Sequence, residues 1–301
     1  MNDTESLRQK LTEKGYAFLC EEPMSLHTSF HVGGPAEIFI TPSDEVQAAQ
    51  VFMLCREHSI PTYVVGNGSN LLICDDGLRG VVIAFTQSMS RITRCGNTLT
   101  AQAGATLSQL CSYARQEGLS GLEFAYGIPG SVGGAVYMNA GAYGGEMKDV
   151  VETVRCVDQN GAFYEVPNQD AGFAYRFSNF QNGGQIILSA VFALTPDAPE
   201  AIDQRMKEIL NRRVSKQPLE FPSAGSAFKR PEHGFAAALI EECGLKGYTV
   251  GGAQVSTKHA GFVINIGGAT CSDVLAVLSH VKETVFRQKG IMLEAEVRQL
   301  I

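Results

Sequence analysis

The eighteen residues GIPGSVGGAVYMNAGAYG, from Gly127 to Gly144, hold six glycines and no charged side chain. Glycine loses more conformational freedom on folding than any other residue, so a dense cluster means that something approaches the backbone closely. That something is either the chain itself, in tight turns, or a phosphate-bearing ligand held by N–H groups in a concave nest. A second bare stretch, GNGSN (Gly66–Asn70), follows the apolar run PTYVVG. Neither is a standard nucleotide motif. GNGSNL lacks the third glycine of G-x-G-x-x-G and a following helix, and G-x-x-x-x-G-K-[ST] does not occur. Composition alone leaves ligand and turn both open.

The rest of the chain narrows the class. Its 301 residues suffice for one large or two to three modest domains, and 45% hydrophobic against 18% charged residues supports a packed core. With 24 basic and 31 acidic residues the net charge is −7, and no basic tract is present, so a nucleic-acid partner is not expected. An anionic ligand must be held by locally placed cations and backbone amides. The eight cysteines, at 20, 55, 74, 95, 111, 156, 243 and 271, form no C-x-x-C and read as reduced core residues. The start, MNDTESLRQKLTEKG, is polar and unlike a signal peptide, and no apolar run reaches about 18 residues. The expected protein is soluble and cytoplasmic, without a membrane partner; its oligomeric state is open.

Periodicity supplies the elements. Residues 1–30 read as a helical lead-in ending near Pro23. AEIFITP (Ala36–Pro42) alternates like a strand, and Ser43 reads as the N-cap of a helix to Ser59 with Val46, Ala49, Met53 and Leu54 on its apolar face. PTYVVG (Pro61–Gly66) reads as a buried strand and GVVIAF (Gly80–Phe85) as another. TLTAQAGA (Thr98–Ala105) is a strand leading into a helix capped at Thr106, with Gln109 completing a capping box and Gly118 ending it. Val150–Asp158, Ala162–Pro167 and Gln185–Leu194 are strands, the first two joined by the hairpin turn QNG. TPDAPE (Thr195–Glu200) reads as a linker, with a break near residue 198. Ile202, Met206, Ile209, Leu210 and Arg213 then share a helical stripe, and Phe235–Cys243 is a short helix closed by Gly244. Thr270 and Asp273 box the start of a last helix lined by Val274, Val277, Leu278, Val281 and Val285 and ended by Gly290; IMLEAEVR (Ile291–Arg298) is a final strand. Strands and helices mix without regular βαβ alternation, so the class is α+β in two or three lobes.

Several side chains admit two readings. His27 and His31 are four apart, but Gly33, Gly34 and Pro35 argue against a helix there, and no metal site is expected. Arg176 in YRFS is a stacked surface arginine or an oxyanion clamp. RRVSKQP (Arg212–Pro218) is a solvated helix end or a contact to an anionic substrate. Ser226, in PSAGSAFKRP, sits in a turn-rich loop that is no G-x-S-x-G elbow. Glu294 and Glu296 share a strand face, and periodicity does not choose between them.

Taken in order, HTSFHVGGPAE, VGNGSNLL, GIPGSVGGAVYMNAGAYGGE, YRFS, KQPLEFPSAGSAFKRP and LEAEVR resemble the UDP-N-acetylenolpyruvoylglucosamine reductase family, the MurB-type flavoenzymes, over residues 25–298. The resemblance implies a two-lobed vanillyl-alcohol-oxidase/PCMH-type FAD-binding fold plus a C-terminal α+β substrate domain: a lead-in at 1–30, the FAD-binding domain at 31–198 and the substrate domain at 199–301. It implies non-covalent FAD, NADPH as hydride donor and a UDP-sugar substrate. The matching cofactor residues are Gly66, Asn67, Gly68, Ser69, Asn70, Gly127, Gly130, Ser131, Gly133, Gly134, Asn139, Ala140 and Gly141. Ser226 matches the proton donor, Arg176 the arginine that steadies the growing carboxylate charge, and Glu296 its glutamate partner. Tyr175, Arg213, Lys216, Gln217 and Lys229 are the candidate substrate contacts. The family usually carries Asn where this chain has Arg230, and the short connection from Ser178 to Gln185 is that of the type II form.

Overall fold

The computed structural model describes residues 3–301. The chain divides into two compact units, and neither is continuous in sequence. One holds the described residues up to Cys20 with 38–67 and 80–212; the other holds 21–37, 68–79 and 213–301. The expected break near residue 198 is therefore displaced: the division falls between Arg212 and Arg213, inside a helix. A linear reading cannot see the chain leave a unit and return to it.

The first unit has two hydrophobic centres. One is built by helix α1 (Asp3–Glu13), through Leu7 and Leu11, with helix α2 (Glu45–Glu57) and a four-stranded sheet. The strands run in the order Phe18–Pro23, Pro35–Ile40, Leu78–Ala84, Thr62–Val65, the last two parallel. The expected lead-in is corrected here: α1 stops before Gly15 (φ +71°) and residues 18–23 are a strand. Helix α2 is also rotated from its expected face. Its N-cap is Asp44, whose carboxylate accepts from the Gln47 N–H at 2.8 Å, and Val46 is 57% exposed. Small residues that hydropathy underweights, Ala48, Ala49 and Cys55, form the buried stripe with Val51 and Leu54. The strand at 62–65 is only partly buried.

The second centre lies on one face of a five-stranded antiparallel sheet ordered Phe163–Pro167, Val151–Asp158, Gln185–Ala193, Thr98–Gln102, Ile92–Cys95. Helix α3 (Leu107–Gln116) packs on it through Leu107, Leu110, Cys111 and Ala114, and the Thr106–Gln109 capping box fixes its start. A register shift between Arg155 and Cys156 bulges strand 185–193, so Ile186 and Leu188 face the first centre while Ala190 and Phe192 face the second. Helix α4 (Val132–Tyr137) covers the same sheet. TPDAPE is no linker. Thr195–Pro196 pairs with Leu119–Ser120, the Asp197 N–H donates to Gly118 O at 2.9 Å, and helix α5 (Pro199–Lys216) begins at once with proline in its first turn.

In the other unit an antiparallel sheet ordered Ser223–Ser226, Phe262–Asn265, Ala253–Val255, Thr249–Val250 is covered by helices α6 (Ala236–Glu242) and α7 (Cys271–Lys289). The capping box, apolar face and Gly290 terminus expected of α7 are all present. The expected strand over 291–298 is not: only Arg298–Leu300 is a strand, parallel to Leu71–Ile73, and Ala295 makes an isolated bridge to Phe228.

Candidate functional site

Gly66 and Asn67, at the start of the second stretch, meet the 127–144 stretch inside the first unit. A Cβ on Gly66 would strike the Ser131 hydroxyl, and the Asn67 amide donates to Pro129 O at 3.2 Å. Much of the 127–144 cluster is bare because the chain packs on itself. The Val132 and Gly133 N–H groups donate to Ala105 O and Ala103 O at 2.8 and 2.9 Å, and a Cβ on Gly133 would lie 2.9 Å from that of Ala103. Gly134 N–H donates to Ser131 Oγ, Ala140 N–H to Ala135 O, and Gly130 O accepts from Leu107. Gly127 has φ +85°, and Gly141 pairs with Glu146 in a short hairpin.

Residues 66–70 are arranged differently. Among the described residues, none of the backbone N–H groups of Asn67, Gly68, Ser69 and Asn70 donates to a protein acceptor. Four consecutive donors in a loop with two glycines fit the phosphates of a dinucleotide cofactor such as FAD. Gly68, at φ +60°, also brings the loop close to His27 and Thr28, where a Cβ would lie 2.8 Å from Thr28 Cα.

Arg176 stands at the tip of a two-residue turn. Ala174 and Phe177 exchange backbone hydrogen bonds at 3.0 and 3.1 Å, with Tyr175 and Arg176 between them. Arg176 has φ +55°, a left-handed conformation that costs a non-glycine residue about 1 kcal/mol or more. Its guanidinium donates to Gly141 O at 3.0 Å and lies 5.3 Å from the centre of the exposed Tyr175 ring. Asn139, expected as a cofactor contact, is fully buried at φ +42°. Its amide donates to Glu146 Oε2 (2.6 Å) and Ala174 O (2.9 Å) and accepts from the Lys148 N–H (2.9 Å).

Ser226, Lys229 and Glu296 belong to the other unit. Strand 223–226 pairs irregularly with 262–265, and Gly225 (φ +75°) turns the backbone so that Ser226 ends the strand exposed. Beyond it the Glu296 N–H donates to Ala227 O at 2.9 Å and the Lys229 N–H to Glu294 O at 2.8 Å. These two bonds set the 294–296 segment beside the Ser226 segment, and the two glutamates differ in their surroundings. Glu294 is exposed and holds the Lys229 ammonium, whereas Glu296 is half-buried. Asn70 of the glycine loop donates through its amide to Glu296 O at 3.3 Å and accepts from the Arg298 N–H at 2.9 Å. No spacing in the sequence announces that link. Arg213 is buried (7% exposed) and donates to Gln217, Lys216 is exposed, and Arg230 lies over the Phe235 ring at 4.3 Å.

The chain is similar to known proteins over most of its length. Residues 36–166 match the profile described as an FAD binding domain, and residues 217–300 match that described as the UDP-N-acetylenolpyruvoylglucosamine reductase C-terminal domain. The UDP-N-acetylenolpyruvoylglucosamine reductase of Clostridium perfringens is 48% identical over 278 residues, covering 92% of this chain and 91% of its own. The crystal structure of the reductase (MurB) from Thermus caldophilus superposes with a TM-score of 0.81 at 36% identity, over 94% of this chain and 98% of that one. Berberine bridge enzyme from Eschscholzia californica shares the fold at a TM-score of 0.50 and 19% identity, over 64% of this chain and 44% of its own. The fold is thus an α+β FAD-binding fold of the vanillyl-alcohol-oxidase type, followed by a C-terminal α+β domain, and it defines a flavoprotein. Within that class, the chain belongs to the UDP-N-acetylenolpyruvoylglucosamine reductase family.

Proposed function

We propose that the chain reduces the enolpyruvyl ether of UDP-N-acetylglucosamine to the lactyl ether, UDP-N-acetylmuramate, in peptidoglycan precursor synthesis. Among the described residues no helix is long and apolar enough to cross a membrane, and a cytoplasmic site of action suits a nucleotide substrate and NADPH. Residues 36–166 form the cofactor-binding part and 217–300 the substrate part of this reading. The loop 66–70 and the backbone around Gly127, Gly130 and Gly141 would hold FAD. Bound, that group supplies hydride chemistry between NADPH and the terminal alkene carbon of the substrate.

The chain's own residues handle charge and proton. Hydride addition leaves carbanion character on the carbon that bears the ether oxygen and the carboxylate. Ser226 Oγ–H gives its proton to that carbon and recovers one from water, which completes the saturated product. A hydroxyl is a weak acid at neutral pH, but such a carbon is basic enough to take its proton. Arg176 and Glu296 steady the charge that grows on the substrate carboxylate, a contact stronger in the transition state than in the ground state. Arg213, Lys216, Gln217 and Lys229 are candidate diphosphate contacts, with Lys229 exchanging Glu294 for phosphate.

One observation carries the reading: backbone bonds set Glu296 beside the exposed Ser226 at an irregular strand end. The Ser226→Ala variant tests it. Flavin reduction by NADPH stays near normal, while sugar-nucleotide reduction falls by roughly a hundredfold or more. Equal loss in both half-reactions would show that Ser226 serves only the fold or the flavin site.

A further inference from the structure

Asn139 and Gln181 grip the turn that carries Arg176. The Asn139 amide holds Ala174 O, the first carbonyl of the turn, and Glu146 in the hairpin 141–146. Its carbonyl oxygen takes the Lys148 N–H just beyond that hairpin. Arg176 donates to Gly141 O in the same hairpin, so Asn139 fixes both the base of the turn and the surface its guanidinium rests on. Gln181 holds Arg176 O at 3.1 Å and Tyr137 O at 3.0 Å, and the buried Ser178 hydroxyl donates to Tyr137 O at 2.7 Å. A turn with arginine at a positive φ is strained, and it persists only where its surroundings over-determine it. The side-chain amide of Asn139 spends its donors on protein acceptors, which leaves it none for a cofactor.

We infer that Asn139, seconded by Gln181, is a positioning residue for Arg176: it holds the strained turn so that the guanidinium is preset for the substrate carboxylate. This rests on the proposed role of Arg176, and the test separates the two. A displaced charged group loses most of its effect on a transition state, so Asn139→Ser lowers the rate of flavin reoxidation by the enolpyruvyl substrate about tenfold. Flavin reduction by NADPH, measured with FAD saturating, stays within about twofold of wild type, because that half-reaction does not use the Arg176 guanidinium. In an Arg176→Ala background, itself roughly a hundredfold slow in reoxidation, adding Asn139→Ser changes the rate by less than about twofold. If Asn139→Ser does not fold, as its thermal melt would show, the half-buried Gln181→Ala enters the same cycle, with a smaller loss that also vanishes when Arg176 is absent.

A full multiplicative loss on top of Arg176→Ala would overturn the inference, and so would flavin reduction by NADPH that falls in step with reoxidation. Arg176→Ala with unchanged reoxidation would instead remove the role of Arg176, and that result is read before Asn139 is altered.

Discussion

At the scale of residues, burial decides reactivity. The eight cysteines all looked alike in the sequence, yet only Cys55, Cys111, Cys156 and Cys271 are buried, while Cys20 and Cys95 are exposed. Burial pushes the Cys111 and Cys156 thiols up to about 12, with the nearby Glu123 charge adding to the first. A thiolate is the reacting species, so an aromatic disulfide reagent at neutral pH labels Cys20 and Cys95 in the native protein and spares Cys111 and Cys156. Peptide mapping after labelling checks this, and early modification of Cys111 would mean that the second hydrophobic centre opens readily. Ser226, Arg176 and Glu296 show the limit of residue-level reading. Their side-chain types allow the chemistry, but a bland surface role was equally open for each until the motifs were taken together. Period-two alternation leaves Glu294 and Glu296 alike, whereas in the fold Glu294 is exposed and holds the Lys229 ammonium and Glu296 is half-buried with its N–H on Ala227 O.

At the scale of elements, local signals were legible and long-range pairing was not. The capping boxes Thr106–Gln109 and Thr270–Asp273 and the glycine terminus of α7 act within one turn of chain, so sequence shows them directly. The segment after Ile291 alternates like a strand, but its true partner is Leu71–Ile73, far upstream, and only its last residues reach it. TPDAPE reads as a linker because proline and acidic residues usually mark one; here Asp197 and Arg205 tie it down. Arg205 also bonds Glu123, which is 9% exposed and accepts from the Gly121 N–H at 2.7 Å and the Ser120 hydroxyl at 2.9 Å. Burial alone would raise the Glu123 carboxyl, but the Gly121 N–H and the Arg205 guanidinium together hold it below the usual glutamate range. A carboxyl lowered in the folded state stabilises fully above its unfolded value, and that contribution is lost as pH falls through the folded value. Glu123→Gln therefore costs about 2 kcal/mol at pH 7. The gap to wild type narrows as pH falls through the lowered folded value of Glu123, where the glutamate becomes as neutral as the glutamine. Melting temperatures of the two proteins followed from pH 7 into acid test this, and a gap that does not narrow would mean packing, not charge, is at stake.

At the scale of the whole molecule, the fold class and the family were readable from six ordered motifs, while the division into units was not. The chain passes between units four times besides its crossing in α5, and a boundary drawn on a linear sequence cannot represent that. The bareness of the two glycine-rich stretches has two different causes. Gly133 and its neighbours yield to the chain's own close packing, whereas the four N–H groups of 67–70 find no protein acceptor among the described residues. In an acidic protein those amides, rather than a basic patch, would hold a pyrophosphate, consistent with the net charge of −7. The most direct measurement follows the visible flavin band without oxygen. One equivalent of NADPH should bleach it, and UDP-N-acetylglucosamine enolpyruvate should then restore the oxidised band promptly. A band that bleaches but never returns with that substrate would contradict the proposed reaction, and absence of any flavin band after addition of FAD would contradict the cofactor site itself.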